Sequence, residues 1–374
     1  MNSLEDLLSI QLCSTKTNIT NNELKKLNLK NNLTKNRSLL IKKNLFPNGE
    51  IKWQFTWIYP NLKLTDLKKK IDTYEFNDDN KSEYDPLQII FQEEYNAIMN
   101  SVLDDDSKKI NNIKNLLKKY VKKVIEERFQ PIMKNVEFIY TDDNIPRSEC
   151  KMRISFLSDG CSTSFYPDIS TRVRDVGSIK PNRGTVDFGG WFNISTVIHE
   201  IGHAIGLEHE HQSLCGFKPV WDNDLLYLYF KITDNWGIND IKSNITNKIN
   251  DNYTFMNNYD PYSIMIYGIP SKLTLNGVGS KKNYKFSSND IYFINLIYGK
   301  KKTIEELKEW YYIIYNQPFI LTPGSLLNSN NENNFSFSPI LYAVLFILLC
   351  IAAIYLVPIL KKNFKIKKFF KHLL

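Results

Sequence analysis

His199-Glu200-Ile201-Gly202-His203-Ala204-Ile205-Gly206-Leu207-Glu208-His209 is the stretch on which the reading of this chain turns. It has the form H-E-x-x-H-x-x-G-x-x-H, and four of the five histidines in 374 residues lie between positions 199 and 211. His199 and His203 are four apart, so on a helix both imidazoles lie on one face, one turn apart, within reach of one ion. The preceding Asn193-Ile194-Ser195-Thr196-Val197-Ile198 supplies a cap and then apolar residues, as a helix start requires. Ile198, Ile201, Ala204 and Ile205 give that helix a buried side. Gly206 admits a positive φ at low steric cost, so the chain can turn there and bring His209 up as a third ligand. Three neutral imidazoles suit a single catalytic zinc ion, whose fourth position is left to water with a pKa lowered to about 7. Glu200 cannot face the same way as its flanking ligands. It stands beside the metal, where a carboxylate can take a proton from attacking water and pass it to a leaving amine.

Adding the glycine and the third histidine makes the pattern roughly a thousandfold rarer by chance than H-E-x-x-H alone. That sets aside a buried helix with three core histidines, and Glu200 speaks against a zinc site without catalysis. A second piece lies at Tyr259-Asp260-Pro261-Tyr262-Ser263-Ile264-Met265-Ile266-Tyr267-Gly268. On its own this reads as an apolar strand and turn with Met265 and Tyr267 in the core. Downstream of the three histidines, Met265 reads as a soft filler beneath the metal that does not compete as a hard ligand. Tyr267 reads as a phenol that can donate to a developing oxyanion. Three ligands fill the protein's share of a catalytic zinc, so His211 is expected at the surface or behind a ligand.

With both pieces in place the chain resembles the metzincin zinc peptidases, which pair the long histidine motif with a Met-turn. Within them it is most similar to the astacin family and its bacterial and fungal relatives. The likeness rests on Glu210 after the third histidine, on Ser263-Ile264-Met265-Ile266-Tyr267, and on His209-Glu210-His211-Gln212-Ser213 with Val220-Trp221-Asp222, Tyr227-Leu228-Tyr229 and Asn235-Trp236. Further upstream, Leu45-Phe46-Pro47-Asn48-Gly49 with residues 51–59, Arg153-Ile154-Ser155-Phe156, Gly160-Cys161-Ser162 and Thr185-Val186-Asp187-Phe188-Gly189 look like the strands of such a domain. Ser287-Ser288-Asn289-Asp290, running on to residue 298, looks like its closing helix. The resemblance covers residues 44–300. It implies an α+β fold with a mixed sheet and long helices in an upper lobe, a lower lobe carrying the Met-turn, and a cleft between them. It also implies endopeptidase activity on protein or peptide substrates, His199, His203 and His209 as zinc ligands, Glu200 as general base, Tyr267 at the transition state, and Glu210 anchoring a processed N-terminus. The chain departs from the family at Ile266, where astacins usually carry histidine, and at Leu214-Cys215-Gly216-Phe217, which replaces an arginine- and aspartate-bearing segment. These departures motivate an alternative, a zinc-stabilised surface module that docks a partner or serves entry and cleaves nothing.

Residues 340–360 are uniformly apolar and uncharged. About twenty such residues at 1.5 Å rise span the hydrocarbon core of a bilayer, so one C-terminal transmembrane helix is expected. Lys361, Lys362, Lys365, Lys367, Lys368 and Lys371 follow and supply six of the formal net charge of +8. The remaining chain is nearly balanced, which argues against a nucleic-acid partner. The lysines read as a flank facing anionic lipid. Residues 1–9 carry Glu5 and Asp6 and lack the form of a secretory signal. The composition, rich in Asn, Lys, Ile and Tyr, is one that A+T-rich genomes favour, those of large DNA viruses among them. Together these point to a membrane-anchored protein on a virion or an intracellular membrane, with sidedness left open.

Between these landmarks, residues 1–43 read as a polar, weakly ordered extension. Residues 87–103 and 106–130 read as helices, the second with Ile110, Ile113, Leu116, Leu117, Tyr120, Val121 and Val124 at helical spacing and its lysines solvated. Pro131 closes that helix. Strands are expected at 136–140 and 151–157, a helix at 301–315 and a flexible stalk at 316–339. Cys13, Cys150, Cys161, Cys215 and Cys350 are odd in number without zinc-type spacing, and read as buried thiols, with a disulfide among Cys150, Cys161 and Cys215 as the alternative. Asn18, Asn193 and Asn252 begin glycosylation sequons that an Asn-rich chain produces by chance.

Overall fold

The longest strand reads Gly-Glu-Ile-Lys-Trp-Gln-Phe-Thr-Trp-Ile, with bulky apolar residues at alternate positions, and Ile51, Trp53 and Phe55 are buried as that period demands. In chain order the strands are β1 (Ser14–Thr15), β2 (Arg37–Lys42), β3 (Gly49–Ile58), β4 (Val136–Tyr140), β5 (Met152–Phe156), β6 (Cys161–Thr163), β7 (Val186–Phe188) and β8 (Thr254–Asn257). The helices are α1 (Leu64–Ile71), α2 (Pro86–Met99), α3 (Asp106–Val124), α4 (Ile194–Ala204), α5 (Asn223–Thr233), α6 (Ile238–Ile241), α7 (Ser288–Ile297) and α8 (Ile304–Tyr315). The computed structural model describes residues 14–15, 37–42, 49–58, 63–71, 78–102, 105–141, 150, 152–156, 161–163, 185–213, 217–249, 254–257, 259–298 and 302–321. All belong to one unit, residues 1–325.

The main sheet is six-stranded in the order β1-β6-β7-β5-β3-β4. β4, β3, β5 and β7 run parallel, and β6 alone pairs antiparallel to its neighbour β7. This is the mixed sheet expected. Within residues 1–43 the described parts are two strands: β1 extends the main sheet beside β6, and β2 pairs antiparallel with β8 in a separate ribbon.

α3 buries Ile113, Leu116, Leu117, Tyr120, Val121 and Val124, the stripe its spacing predicts, with Ile110 half-buried. Asp105 caps it by accepting from Ser107 N at 2.9 Å. It ends at Val124 and widens into a π-turn over Ile125–Phe129 rather than running α-helical to residue 130. Pro131, which has no N–H to donate, stops the helix just beyond. Its lysines are not simply solvated. Lys118 and Lys122 lie over the Phe55 and Tyr140 rings, 5.5 and 3.5 Å from the centroids, so their stems cover the sheet's aromatic edge.

α2 starts with Pro86 at its first position and with Asp85 accepting from Leu87 N at 2.9 Å. The same carboxylate takes two bonds from the buried Arg128, at 2.7 and 2.8 Å, and one from Tyr315 at 3.1 Å. Tyr315 ends α8, whose Leu307, Tyr311 and Tyr315 join the main apolar cluster. The packed body therefore continues past residue 300. Among the described residues two apolar clusters are present. One unites the sheet, α2, α3, α4, α7 and α8 and includes Met265. The other gathers Trp191, Phe217, Leu226, Phe230, Ile241, Leu273 and Tyr267. Among the described residues no helix is long and apolar enough to cross a membrane. The expected span at 340–360, the basic tail and the stalk beyond 321 lie outside the described residues.

Candidate metal centre

Every residue of α4 is buried. Its first N–H groups are satisfied by Asn193, whose Oδ1 accepts from Thr196 N at 2.8 Å, and by Gln88, which accepts from Ile194 N at 2.7 Å. Asn193 is therefore a buried cap rather than a surface sequon. At the other end Gly206 takes φ +97°, Gly206 N donates to His203 O at 2.9 Å and Leu207 N donates to Gly202 O at 2.9 Å. That is a Schellman termination, and it turns the chain so that His209 returns to face His199 and His203.

The three rings meet at their Nε2 atoms. His203 Nε2 is 3.0 Å from His199 Nε2 and 3.1 Å from His209 Nε2. Each outer nitrogen faces an oxygen: His199 Nδ1 is 2.9 Å from Ile264 O, His203 Nδ1 is 2.7 Å from Leu207 O, and His209 Nδ1 is 3.1 Å from Gln212 Oε1. Carbonyl oxygens only accept, so Nδ1 of His199 and His203 must carry the hydrogen. Gln212 obeys the same logic, because its amide nitrogen donates to Ser243 O at 2.7 Å and Asn247 O at 3.0 Å, which turns its oxygen to the ring. All three Nε2 lone pairs consequently point into one spot. Burial first, and then the neighbouring His203, push the pKa of His199 and of His209 well below the ordinary histidine value, so both are neutral.

Three lone pairs at this separation repel one another unless a cation lies between them. Tetrahedral zinc with nitrogen ligands near 2.0–2.1 Å sets those nitrogens about 3.3 Å apart, close to the spacing observed. Among the described residues these histidines form the group able to hold a metal, and an all-imidazole donor set with fixed outer hydrogen bonds fits zinc.

Glu200 is fully buried, and Thr163 Oγ1 on β6 donates to its Oε2 at 2.6 Å. Gly202 faces the Met-turn. A Cβ there would lie 2.9 Å from Met265 Sδ and 3.2 Å from Leu207 Cδ1, so the helix needs glycine for the thioether to pack against it. The turn itself is bolted down by α7. Asp290 accepts from Ser263 Oγ at 2.7 Å and Ile264 N at 2.8 Å, which sets the Ile264 carbonyl against His199. Asp290 also accepts from Ser287 N at 3.0 Å, and Asp260 accepts from Ser287 Oγ at 2.6 Å. Burial first, then the Asp260 carboxylate, push Asp290 up to about 7, and burial raises Asp260 as well. Glu210 accepts from Asp260 N at 2.9 Å, and its own N–H donates to Met265 O at 3.1 Å.

The Tyr267 ring lies 4.2 Å from the His209 ring centroid and 4.8 Å from that of His211. His211 is fully buried, donating from Nε2 to Asn244 O at 2.8 Å, and burial pushes its pKa down to about 3. It stacks behind His209 and Tyr267 and is not a surface residue. Thr163, Gln212, Asp260 and Asp290 are the site residues whose parts were not read from sequence. Only Asp290 left a signal there, as the third residue after Ser287 in a capping box. Cys150 and Cys161 are buried free thiols, as read.

No family model and no curated protein matches the chain. Among solved structures it is similar to myroilysin, at 22% identity over 70% of this chain and 98% of that one with a TM-score of 0.44. A second myroilysin structure matches at 17% identity over 80% and 97% of the two chains, TM-score 0.39. High choriolytic enzyme 1, a hatching enzyme zinc-protease from Oryzias latipes (medaka fish), matches at 16% identity over 49% and 82%, TM-score 0.27.

Proposed function

We propose that this chain is a zinc-dependent endopeptidase of the metzincin type that acts on protein or peptide substrates while anchored to a membrane by residues 340–360. The observation that carries the reading is the convergence of three Nε2 lone pairs, each enforced by a separate hydrogen bond at Nδ1. His199, His203 and His209 would hold the zinc ion, which would supply Lewis acidity to water and to a peptide carbonyl. Glu200, next in the chain to a ligand, takes the proton from the attacking water and delivers it to the departing amine. Tyr267, its ring tilted against His209, donates its hydroxyl to the oxyanion that forms at the carbonyl. Met265 packs its thioether against Gly202, between the two helix ligands in sequence, without offering a hard ligand. Gln212, Leu207 and Ile264 keep the ligand rings in the required tautomer.

The test uses the full-length chain in detergent. The protein binds one zinc per chain and cleaves unfolded protein, and Glu200→Ala abolishes cleavage while keeping the zinc. Robust hydrolysis by that variant overturns the mechanism; a biological function retained undiminished in it favours the docking module suggested by Ile266 and Leu214-Cys215-Gly216-Phe217. Membrane sidedness is read from protease protection of epitopes at both ends in sealed vesicles or particles.

A further inference from the structure

Thr163 closes β6, the strand that runs against the direction of β7 and packs on α4. Its hydroxyl is buried and meets Glu200 at two places, 2.6 Å from the carboxylate Oε2 and 3.0 Å from the main-chain carbonyl oxygen. A glutamate has three torsions between its backbone and its carboxylate, and each adds rotamers that must be frozen for the group to point one way. α4 fixes the backbone end. The hydroxyl fixes the other end, its one hydrogen going to the nearer acceptor, the carboxylate, in preference to the same residue's carbonyl. Threonine suits this task because its branched Cβ restricts χ1 in a strand, so the hydroxyl is itself a fixed point. A threonine serving the fold alone needs only a main-chain acceptor, and the carbonyl at 3.0 Å already provides one. The shorter contact goes to the carboxylate.

We propose that Thr163 is the positioning residue that aims the Glu200 carboxylate in the candidate site. This rests on Glu200 being the proton acceptor. β6 thereby connects the outer end of the sheet to the chemistry on α4, across 37 residues of chain.

The experiment compares Thr163→Val, which keeps the shape and deletes the hydroxyl, with Thr163→Ser, which keeps the hydroxyl. Both are made in full-length, zinc-loaded protein and in a Glu200→Gln background. Misaiming a reacting group by about 1 Å lowers rates by up to ~100-fold. Thr163→Val is expected to lower kcat about 10- to 100-fold with KM and zinc stoichiometry unchanged, and Thr163→Ser to stay within about threefold of wild type. In the Glu200→Gln background the valine should change the residual rate no further. Wild-type kcat in Thr163→Val overturns the inference, as does a serine variant as slow as the valine one. An equal slowing by valine in both backgrounds also overturns it, since that marks a role in the fold alone. If the valine variant does not fold, Thr163→Ala against Thr163→Ser decides the point, equal rates overturning it. A fully active Glu200→Gln protein removes the reading of Glu200 itself, whereas an inactive Glu200→Gln beside an unimpaired Thr163→Val removes only the role of Thr163.

Discussion

Replacing Gln212 separates the metal from the fold. Its carbonyl oxygen faces His209 Nδ1 at 3.1 Å, while its amide nitrogen bridges Ser243 O and Asn247 O at 2.7 and 3.0 Å. Methionine at 212 removes all three contacts. The His209 ring then loses its tautomer restraint, and outer-ligand losses of this kind weaken metal binding about 10- to 100-fold, which is about 1.4–2.7 kcal/mol. Two partly buried carbonyls also lose their donor, at about 1–3 kcal/mol of fold stability. Glutamate at 212 behaves differently. It keeps an acceptor on His209 but turns oxygen towards oxygen at Ser243 and Asn247. Zinc affinity should therefore stay within a few-fold of wild type while stability falls at least as far as in the methionine variant. Competition with a chromophoric chelator measures the first quantity, and urea denaturation of the metal-free protein the second. Wild-type zinc affinity in Gln212→Met, or an equal loss of zinc affinity in both variants, refutes the argument.

Asp85→Asn removes the buried counter-charge of Arg128 and leaves it only the exposed Glu127 at 3.6 Å, and urea denaturation should show a loss of about 3–5 kcal/mol. Adding Arg128→Met should recover most of it. Gly202→Ala forces a Cβ to within 2.9 Å of Met265 Sδ. Overpacking of about 1–3 kcal/mol, set against about 1 kcal/mol of gained helix propensity, predicts a modestly lower melting temperature, relieved when Met265→Ala makes room. Asp290 is held up at about 7, above its unfolded value near 4. Its stabilising contribution is complete below about pH 4 and is lost as pH rises through about 7. The neutral buried histidines act in the opposite sense, losing their contribution as pH falls below the unfolded value near 6.5. The readout is therefore the difference between wild type and Asp260→Asn: urea midpoints of metal-free wild type should decline more, or rise less, from pH 5 to pH 8.

What the sequence made legible was periodic or local. The α3 stripe from Ile113 to Val124 repeats at helical spacing, and α4 announces itself by Asn193 before it and Gly206 after it. The histidines needed only that helix and that turn. What stayed hidden was non-periodic. Thr163 meets Glu200 across 37 residues, and Gln212 meets Ser243 and Asn247 across 31 and 35. Neither contact leaves a trace in spacing. β6 is three residues long, too short to show alternation, and α5 exposes Leu228 and Ile232, which blurs its apolar face. For His211 the sequence left two places open, the surface or behind a ligand, and only the fold chooses the second. Its neighbours Tyr267 and Asn244 enclose it, and neither is adjacent in sequence.

The three outer hydrogen bonds differ in how much of the chain must be in place before they exist. His203 is oriented by Leu207 within its own helix terminus, whereas His209 depends on Gln212 braced by residues 243 and 247, and His199 on the carbonyl of Ile264. A growing chain that has emerged only as far as α4 thus owns one correctly turned imidazole. The second and third arrive with later segments, the last when the Asp290 carboxylate on α7 seizes the turn. Metal capture is a late event in biosynthesis under this scheme. It rewards only chains whose two apolar clusters have already met, and a bound ion adds its binding free energy to that meeting rather than to either half.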